Sequence, residues 1–256
     1  MLLRHVSYKG IPFYVPEEEV EEGVTAADVG MQHWFNDSIR STLTYAEQVW
    51  HVNQFVRGDL LNILEVFCGF GMSTAPILQS RIDEHVAFDT DPGCVVAFKH
   101  LREDAKVMEG DSYYMTPLAV ELQQYDYVLL EHNALTVYGA MQNPIERALL
   151  NCVFNSKARY VAFVDSAKVK EHLHYKTYSR YFQADITDSA SYVRAIDRFF
   201  RSIYGYHIKA VAHDSINYTY LLEASADAPD TYDLHDTRGT VNLSYFKEIG
   251  YLDVEI

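Results

Sequence analysis

Cysteine is scarce. Only Cys68, Cys94 and Cys152 occur in 256 residues, and no two stand at Cys-x-x-Cys spacing. An odd, scattered set excludes a disulfide framework and a thiolate zinc site, and it fits a reducing compartment. Cations are few as well: lysine plus arginine number 21 against 36 acids, a formal charge of −15. Grip on a phosphate backbone comes from cation contacts, so this balance argues against a nucleic-acid partner, although segregated charge leaves that reading open. No apolar run approaches the ~20 residues that span a bilayer. The opening Met1-Leu2-Leu3-Arg4-His5-Val6-Ser7-Tyr8 lacks the apolar core of a signal peptide. A cytoplasmic protein with no membrane partner is expected. Internal repeats and low-complexity blocks are also missing.

What remains is ordinary globular composition, with 48% hydrophobic and 22% charged residues. The length suits one large domain, or one domain with arms. Tyrosine is frequent at 20 residues, which fits either half-buried packing or an aromatic-lined pocket.

The texture of the chain divides it into three regions. Residues 1–58 read as an arm and a helical cover. The acidic run Glu17 to Glu22 is a solvated surface segment, and apolar positions from Trp34 to Phe55 recur near helical spacing. Residues 59–223 read as alternating strands and helices. Short apolar runs at 61–67, 85–88, 106–109, 125–130 and 159–164 are the expected strands, and 73–80, 93–102, 116–123 and 144–154 the expected helices. A tyrosine-rich insert at about 166–189, a helix over 192–204 and a hairpin of strands 206–213 and 218–223 complete this core. Residues 224–256 read as an acidic, loop-like tail. Such alternation predicts an α/β fold: a doubly wound, mostly parallel sheet ending in an antiparallel hairpin strand.

In such sheets ligands sit beyond the carboxyl ends of the strands. The first strand ends in Glu65-Val66-Phe67-Cys68-Gly69-Phe70-Gly71. Its glycines allow a tight turn and close approach to a ligand, and its acid can hold a cationic or amino group. The second ends in Asp89-Thr90, where a carboxylate can accept both hydroxyls of a ribose. The third ends in Gly110-Asp111-Ser112, where a carboxylate can accept an exocyclic amine of adenine. Together these acids describe a pocket for a nucleoside with an amino-acid-like tail. A nicotinamide-binding fingerprint fits less well, because its third glycine would fall at Thr74.

Over roughly residues 60–223 the sequence resembles the class I S-adenosylmethionine-dependent methyltransferases. That resemblance implies S-adenosylmethionine as cofactor, held by Glu65, Phe67, Gly69, Gly71, Asp89, Thr90, Asp111, Ser112 and Glu131. The family's usual first glycine is Phe67 here. The fourth motif maps to Tyr125 through Asn133.

The acceptor is read from the segment after the fourth strand, Glu131-His132-Asn133-Ala134-Leu135. The Asn/Asp-Pro-Pro-aromatic motif of base-amine methylating enzymes is missing. Cys152 lies in a helix of apolar texture, so a thiolate nucleophile is not expected. His132, with Glu131, is the candidate for taking a proton from a hydroxyl or ammonium acceptor. Asn133, Tyr175, Tyr178 and Tyr181 are candidate substrate contacts, the tyrosines as a lid. The expected activity is methyl transfer to nitrogen or oxygen of a small molecule. A nucleic-acid or protein methyltransferase, or a non-catalytic binding protein of the same fold, stays open. Residues 157–209 hold ten of the 21 lysines and arginines, which suits a solvated helix with a lid, or a cover for an anionic or aromatic substrate. A divalent metal is not expected, although Glu131 and Asp165 faintly resemble a catechol-type magnesium pair with Ser166 as a weak third ligand. Glu171-His172-Leu173-His174 lacks the spacing of a metal motif. Oligomeric state is not legible.

Overall fold

The computed structural model describes residues 3–8, 11–16, 48–69, 81–130, 143–166, 178–213, 217–225 and 232–236. Strands β1 (Leu3–Tyr8) and β2 (Ile11–Pro16) form an antiparallel hairpin, with Leu3 opposite Pro16. The remaining strands form one eight-stranded sheet: β3 (Leu61–Val66), β4 (Ile82–Asp89), β5 (Lys106–Glu109), β6 (Tyr127–Leu130), β7 (Tyr160–Ser166), β8 (Tyr206–His213), β9 (Asn217–Ala224) and β10 (Asp233–Asp236). Its spatial order is β10-β8-β9-β7-β6-β3-β4-β5. Pairing from β5 through β7 is parallel, and β9 runs antiparallel between β7 and β8. This is the expected doubly wound sheet with its antiparallel hairpin.

Helices α1 (Pro92–Leu101), α2 (Ser112–Leu122), α3 (Pro144–Asn155) and α4 (Ser189–Tyr204) connect the strands. Their starts have a local cause. Asp91, Asp111 and Asn143 each accept a backbone N–H of the first turn, and proline opens α1 and α3, where a missing N–H costs nothing. The start of α4 is a capping box between Asp188 and Ser191, and it ends at Gly205 in the left-handed region, φ 75°.

The pleat sorts the strand residues onto two faces. Leu64, Val66, Phe88, Val128, Leu130, Val161, Phe163, Val211 and Tyr220 join α3 and α4 in the main core, through Leu149, Val153, Phe154, Tyr192, Ile196 and Phe200. On the other face Leu61, Ile63, Leu129 and Ala162 meet Val49 and Val52 of a helical turn at 48–53. Ala87 and Val107 meet Val95 and Phe98 of α1. Two buried hydrogen bonds tie the helical turn to the sheet. The Tyr127 hydroxyl donates to Asn53 Oδ1 at 2.5 Å, and the Thr219 hydroxyl to Gln48 Oε1 at 2.8 Å. The N-terminal helical cover is thus present at 48–53.

Three expectations change. Part of the N-terminal arm is the β1–β2 hairpin, in which Arg4-His5-Val6 pair with Val15-Tyr14-Phe13. The tail is not wholly loop-like: β10 adds to the open edge of β8 in parallel, with Asp233 opposite Ala210. It is clamped from outside, where Asp233 Oδ2 lies 2.7 Å from His51 Nε2 and His235 stacks on His51 at 4.0 Å. The described part of the insert does not stand clear of the core. Tyr178 and Ile186 are each 3% exposed and pack within it. The expected helix at 73–80 lies outside the described residues.

Candidate functional site at the strand ends

Strand order reverses at β3, with β4 on one side and β6 on the other. The crevice beyond the strand ends at such a reversal is where a doubly wound sheet takes its ligand. The Phe67–Gly69 turn leaves β3 there. Gly69 has φ 52°, and a Cβ built on it would meet no described residue within 4 Å. Phe67 also sits in the left-handed region, φ 59°. The conformation that glycine would adopt freely is therefore kept by a phenylalanine, whose ring packs edge-on against Tyr113 at 5.4 Å.

Hydrogen bonds join the three strand ends. Gly69 N–H donates to Asp89 Oδ2 at 2.9 Å, and Asp91 N–H to Asp89 Oδ1 at 3.0 Å. Gly110 N–H donates to the Asp89 carbonyl at 2.8 Å. Phe67 N–H donates to Ser112 Oγ at 3.3 Å, and Ser112 is fully buried. Asp111 is exposed, and its Oδ1 accepts Tyr113 N–H at 2.9 Å as the cap of α2. Thr90 is exposed beside Asp89. Six of the expected cofactor residues, Phe67, Gly69, Asp89, Thr90, Asp111 and Ser112, thus come together at neighbouring strand ends.

Glu65 is placed differently. It is fully buried on the face covered by α1, and its Oε2 lies 2.8 Å from His85 Nε2 on β4. Both side chains are 1% exposed, and the Phe98 ring stands edge-on to the imidazole at 5.5 Å. His85 Nδ1 is buried without a hydrogen-bond partner among the described residues. The group that Glu65 meets is this imidazole.

Gly71, Glu131, His132, Asn133 and Tyr175 lie outside the described residues. Tyr178 is buried in the core, its ring 5.1 Å from Tyr192. Tyr181 is 42% exposed and lines a cleft beside α4.

Asp165, at the end of β7, is fully buried and accepts the Tyr192 hydroxyl at 2.5 Å. Burial, and then the Asp165 charge, push the Tyr192 hydroxyl well above its ordinary pKa. Tyr220 is raised for the same two reasons, and its hydroxyl has no hydrogen-bond partner among the described residues. Among those residues no group of three or more His, Cys, Asp or Glu has the geometry to hold a metal ion. Cys152 is partly buried in α3, and burial raises its thiol pKa, which opposes a thiolate there. No helix among the described residues is long and apolar enough to cross a membrane. Sequence reasoning misses His85 and Tyr192, since each is marked only by a contact with a residue distant in sequence.

No protein-family model and no curated protein matches the chain. Solved structures with a similar fold exist. One is magnesium protoporphyrin IX methyltransferase from Synechocystis with bound SAH, at 14% identity over 80% of this chain and 90% of that one, TM-score 0.49. Another is a TehB-like SAM-dependent methyltransferase from Corynebacterium glutamicum, at 12% identity over 76% and 96%, TM-score 0.42. A third is the plantazolicin methyltransferase BpumL in complex with a monoazolic desmethylPZN analog and SAH, at 11% identity over 76% and 88%, TM-score 0.46. The chain's own strand order is that of a doubly wound, mostly parallel sheet with an antiparallel β9.

Proposed function

We propose that the chain is an S-adenosylmethionine-dependent methyltransferase acting on a nitrogen or oxygen atom of a small molecule. The observation that supports this most is the meeting of the Phe67–Gly69 turn, Asp89 and the Asp111–Ser112 start of α2 at the switch in strand order. The residues fit the cofactor. Among the described residues, none lies within 4 Å of a Cβ built on Gly69. Asp89 and Asp111 offer carboxylate lone pairs for ribose hydroxyls and an adenine amine.

When bound, the cofactor supplies an electrophilic methyl group on a sulfonium. The chain's own share is alignment and proton removal. Asp89 fixes the glycine turn that would border the cofactor. His132, the second residue after β6 in sequence, is the proposed proton acceptor, with Glu131, Asn133 and Tyr175 on the acceptor side. A small-molecule acceptor is favoured by the charge of −15 and by Glu131-His132-Asn133 in place of an Asn-Pro-Pro-aromatic motif.

Calorimetric titration with S-adenosylmethionine tests the reading. Wild type should bind, and Asp89→Ala should bind at least tenfold more weakly, as expected for loss of a charge-assisted hydrogen bond of about 1.5–3 kcal/mol. No heat with wild type, or equal affinity in the variant, overturns it. Methyl transfer to DNA, RNA or protein, and not to small acceptors, would overturn the substrate class.

A further inference from the structure

The outer side of α4 carries a cleft that methyl transfer does not use. Its volume is about 180 Å³, and Tyr181, Phe182, Gln183, Arg198, Phe199 and Ser202 are among its walls. We propose that this cleft binds a small planar aromatic molecule carrying one negative charge, of the aromatic carboxylate class.

Three of the walls, Tyr181, Phe182 and Phe199, are aromatic. Phe182 meets Tyr181 edge-on at 5.3 Å and Phe199 at 5.9 Å, and it is backed by Tyr192 at 6.4 Å. Rings arranged this way offer edges and faces to a flat guest. The segment that carries Tyr181 and Phe182 is turned back over the helix at Gln183, a residue other than glycine with φ 49°. Ala184 N–H donates to the Ser179 carbonyl at 3.1 Å, and Ile186 N–H to Ser179 Oγ at 3.1 Å, which holds the turn. This is the left-handed stop of the helical turn 178–182, and it fixes where Tyr181 and Phe182 stand.

The charge comes from Arg198. α4 carries three arginines. Arg201 is committed to Asp197 at 2.6 Å, and Arg194 lies near Asp188, whose pKa it helps to lower after the Ser191 hydrogen bonds. Arg198 is exposed and has no ion pair or hydrogen bond among the described residues. A guanidinium presents a planar fork that a carboxylate meets with two parallel hydrogen bonds. In a chain of charge −15, an uncommitted cation in an aromatic cleft is where an aromatic anion gains most.

The cleft is separate from the strand ends. β8 is antiparallel to β9, as β7 is, so β8 runs with β7 and α4 begins at the site edge of the sheet. Arg198 and Ser202 lie about 10 and 16 Å along the helix from Ser191, near its start. The proposal therefore expects benzoate to bind whether or not S-adenosylmethionine is present.

The test uses the full chain and three probes: benzoate, benzyl alcohol and cyclohexanecarboxylate, followed by saturation-transfer NMR and calorimetry. Benzoate should bind wild type saturably. Benzyl alcohol, which lacks the charge, should bind at least tenfold more weakly, and cyclohexanecarboxylate, which lacks the flat ring, several-fold more weakly. Arg198→Gln should weaken benzoate at least tenfold, and Ser202→Trp should block it. Both positions are exposed, so the variants keep the fold, and unchanged circular-dichroism melts check this. Failure of benzoate to saturate wild type overturns the proposal. So does equal affinity in wild type and both variants, or displacement of benzoate by S-adenosylmethionine. The benzoate titration reads out whether or not that cofactor binds.

Discussion

Replacing His85 by leucine removes the imidazole that Glu65 Oε2 meets at 2.8 Å. The carboxylate stays where it is, on a side chain 1% exposed between β3 and α1. Removing one partner of a buried hydrogen bond costs about 1–3 kcal/mol. For a chain of this length, 1 kcal/mol moves the melting temperature by about 2–4 °C, so His85→Leu should melt roughly 2–12 °C lower. Glu65→Leu removes the same hydrogen bond from the other side and should cost a similar amount. The double variant Glu65→Leu/His85→Leu should recover much of the loss, because two apolar groups of similar size need no partner.

Urea unfolding of the four proteins gives the coupling energy directly. Calorimetry on the same set separates two roles for Glu65. If it contacts the cofactor itself, Glu65→Gln weakens binding and leaves stability nearly unchanged. If it acts by holding β3 against β4 beneath the glycine turn, His85→Leu lowers stability and binding together. Single-variant losses below about 1 kcal/mol that simply add would refute the account, since a dry paired carboxylate cannot lose its partner that cheaply.

Phe67→Gly should change stability by no more than about 1 kcal/mol, because relief of a left-handed φ of 59° is worth roughly 1–2 kcal/mol and the lost Tyr113 ring contact about as much. A loss above about 3 kcal/mol in chemical denaturation would show that the ring, not the turn, dominates. Stability should also fall as pH drops below the ordinary histidine value of 6.5, because burial holds His51 and His207 below it. The unfolded chain then binds protons first, so stability is present above 6.5 and lost through the lower folded values. A stability profile that rises on acidification from about pH 7 to 5 contradicts this, and His51→Gln should remove part of the slope.

Much of the sheet is legible because its strands are buried on both faces and read as short, mostly apolar runs, as in Tyr127–Leu130. Helix starts are legible where a cap and a proline coincide, at Asp91-Pro92 and Asn143-Pro144. α4 begins at Ser189, ahead of its expected start, because its capping box closes with Ser191 and not with a glutamate. α2 also begins early, at Ser112, since Pro117 lies inside the helix and Asp111 caps it as well as facing the ligand side. β10 has one apolar residue in Asp-Leu-His-Asp and exists by pairing with β8 and by the His51 clamp, neither of which has a local pattern.

The site divides in the same way. Gly69, Asp89 and Asp111 are legible because each ends a strand, and strand ends in a parallel sheet meet at one edge whatever the register. The Glu65–His85 pair depends on register itself. Glu65 lies opposite Ala87 and Ile63 opposite His85, so the two side chains share one face of adjacent strands. A shift of one residue would turn one of them to the other face and separate a carboxylate from its imidazole in a dry interior. The pair therefore helps to specify the register of β3 on β4, and with it the meeting of Gly69 N–H and Asp89 Oδ2 at 2.9 Å one turn further on. The sequence motif names residues that gather at the strand ends. The buried histidine, which no motif names, fixes where they meet.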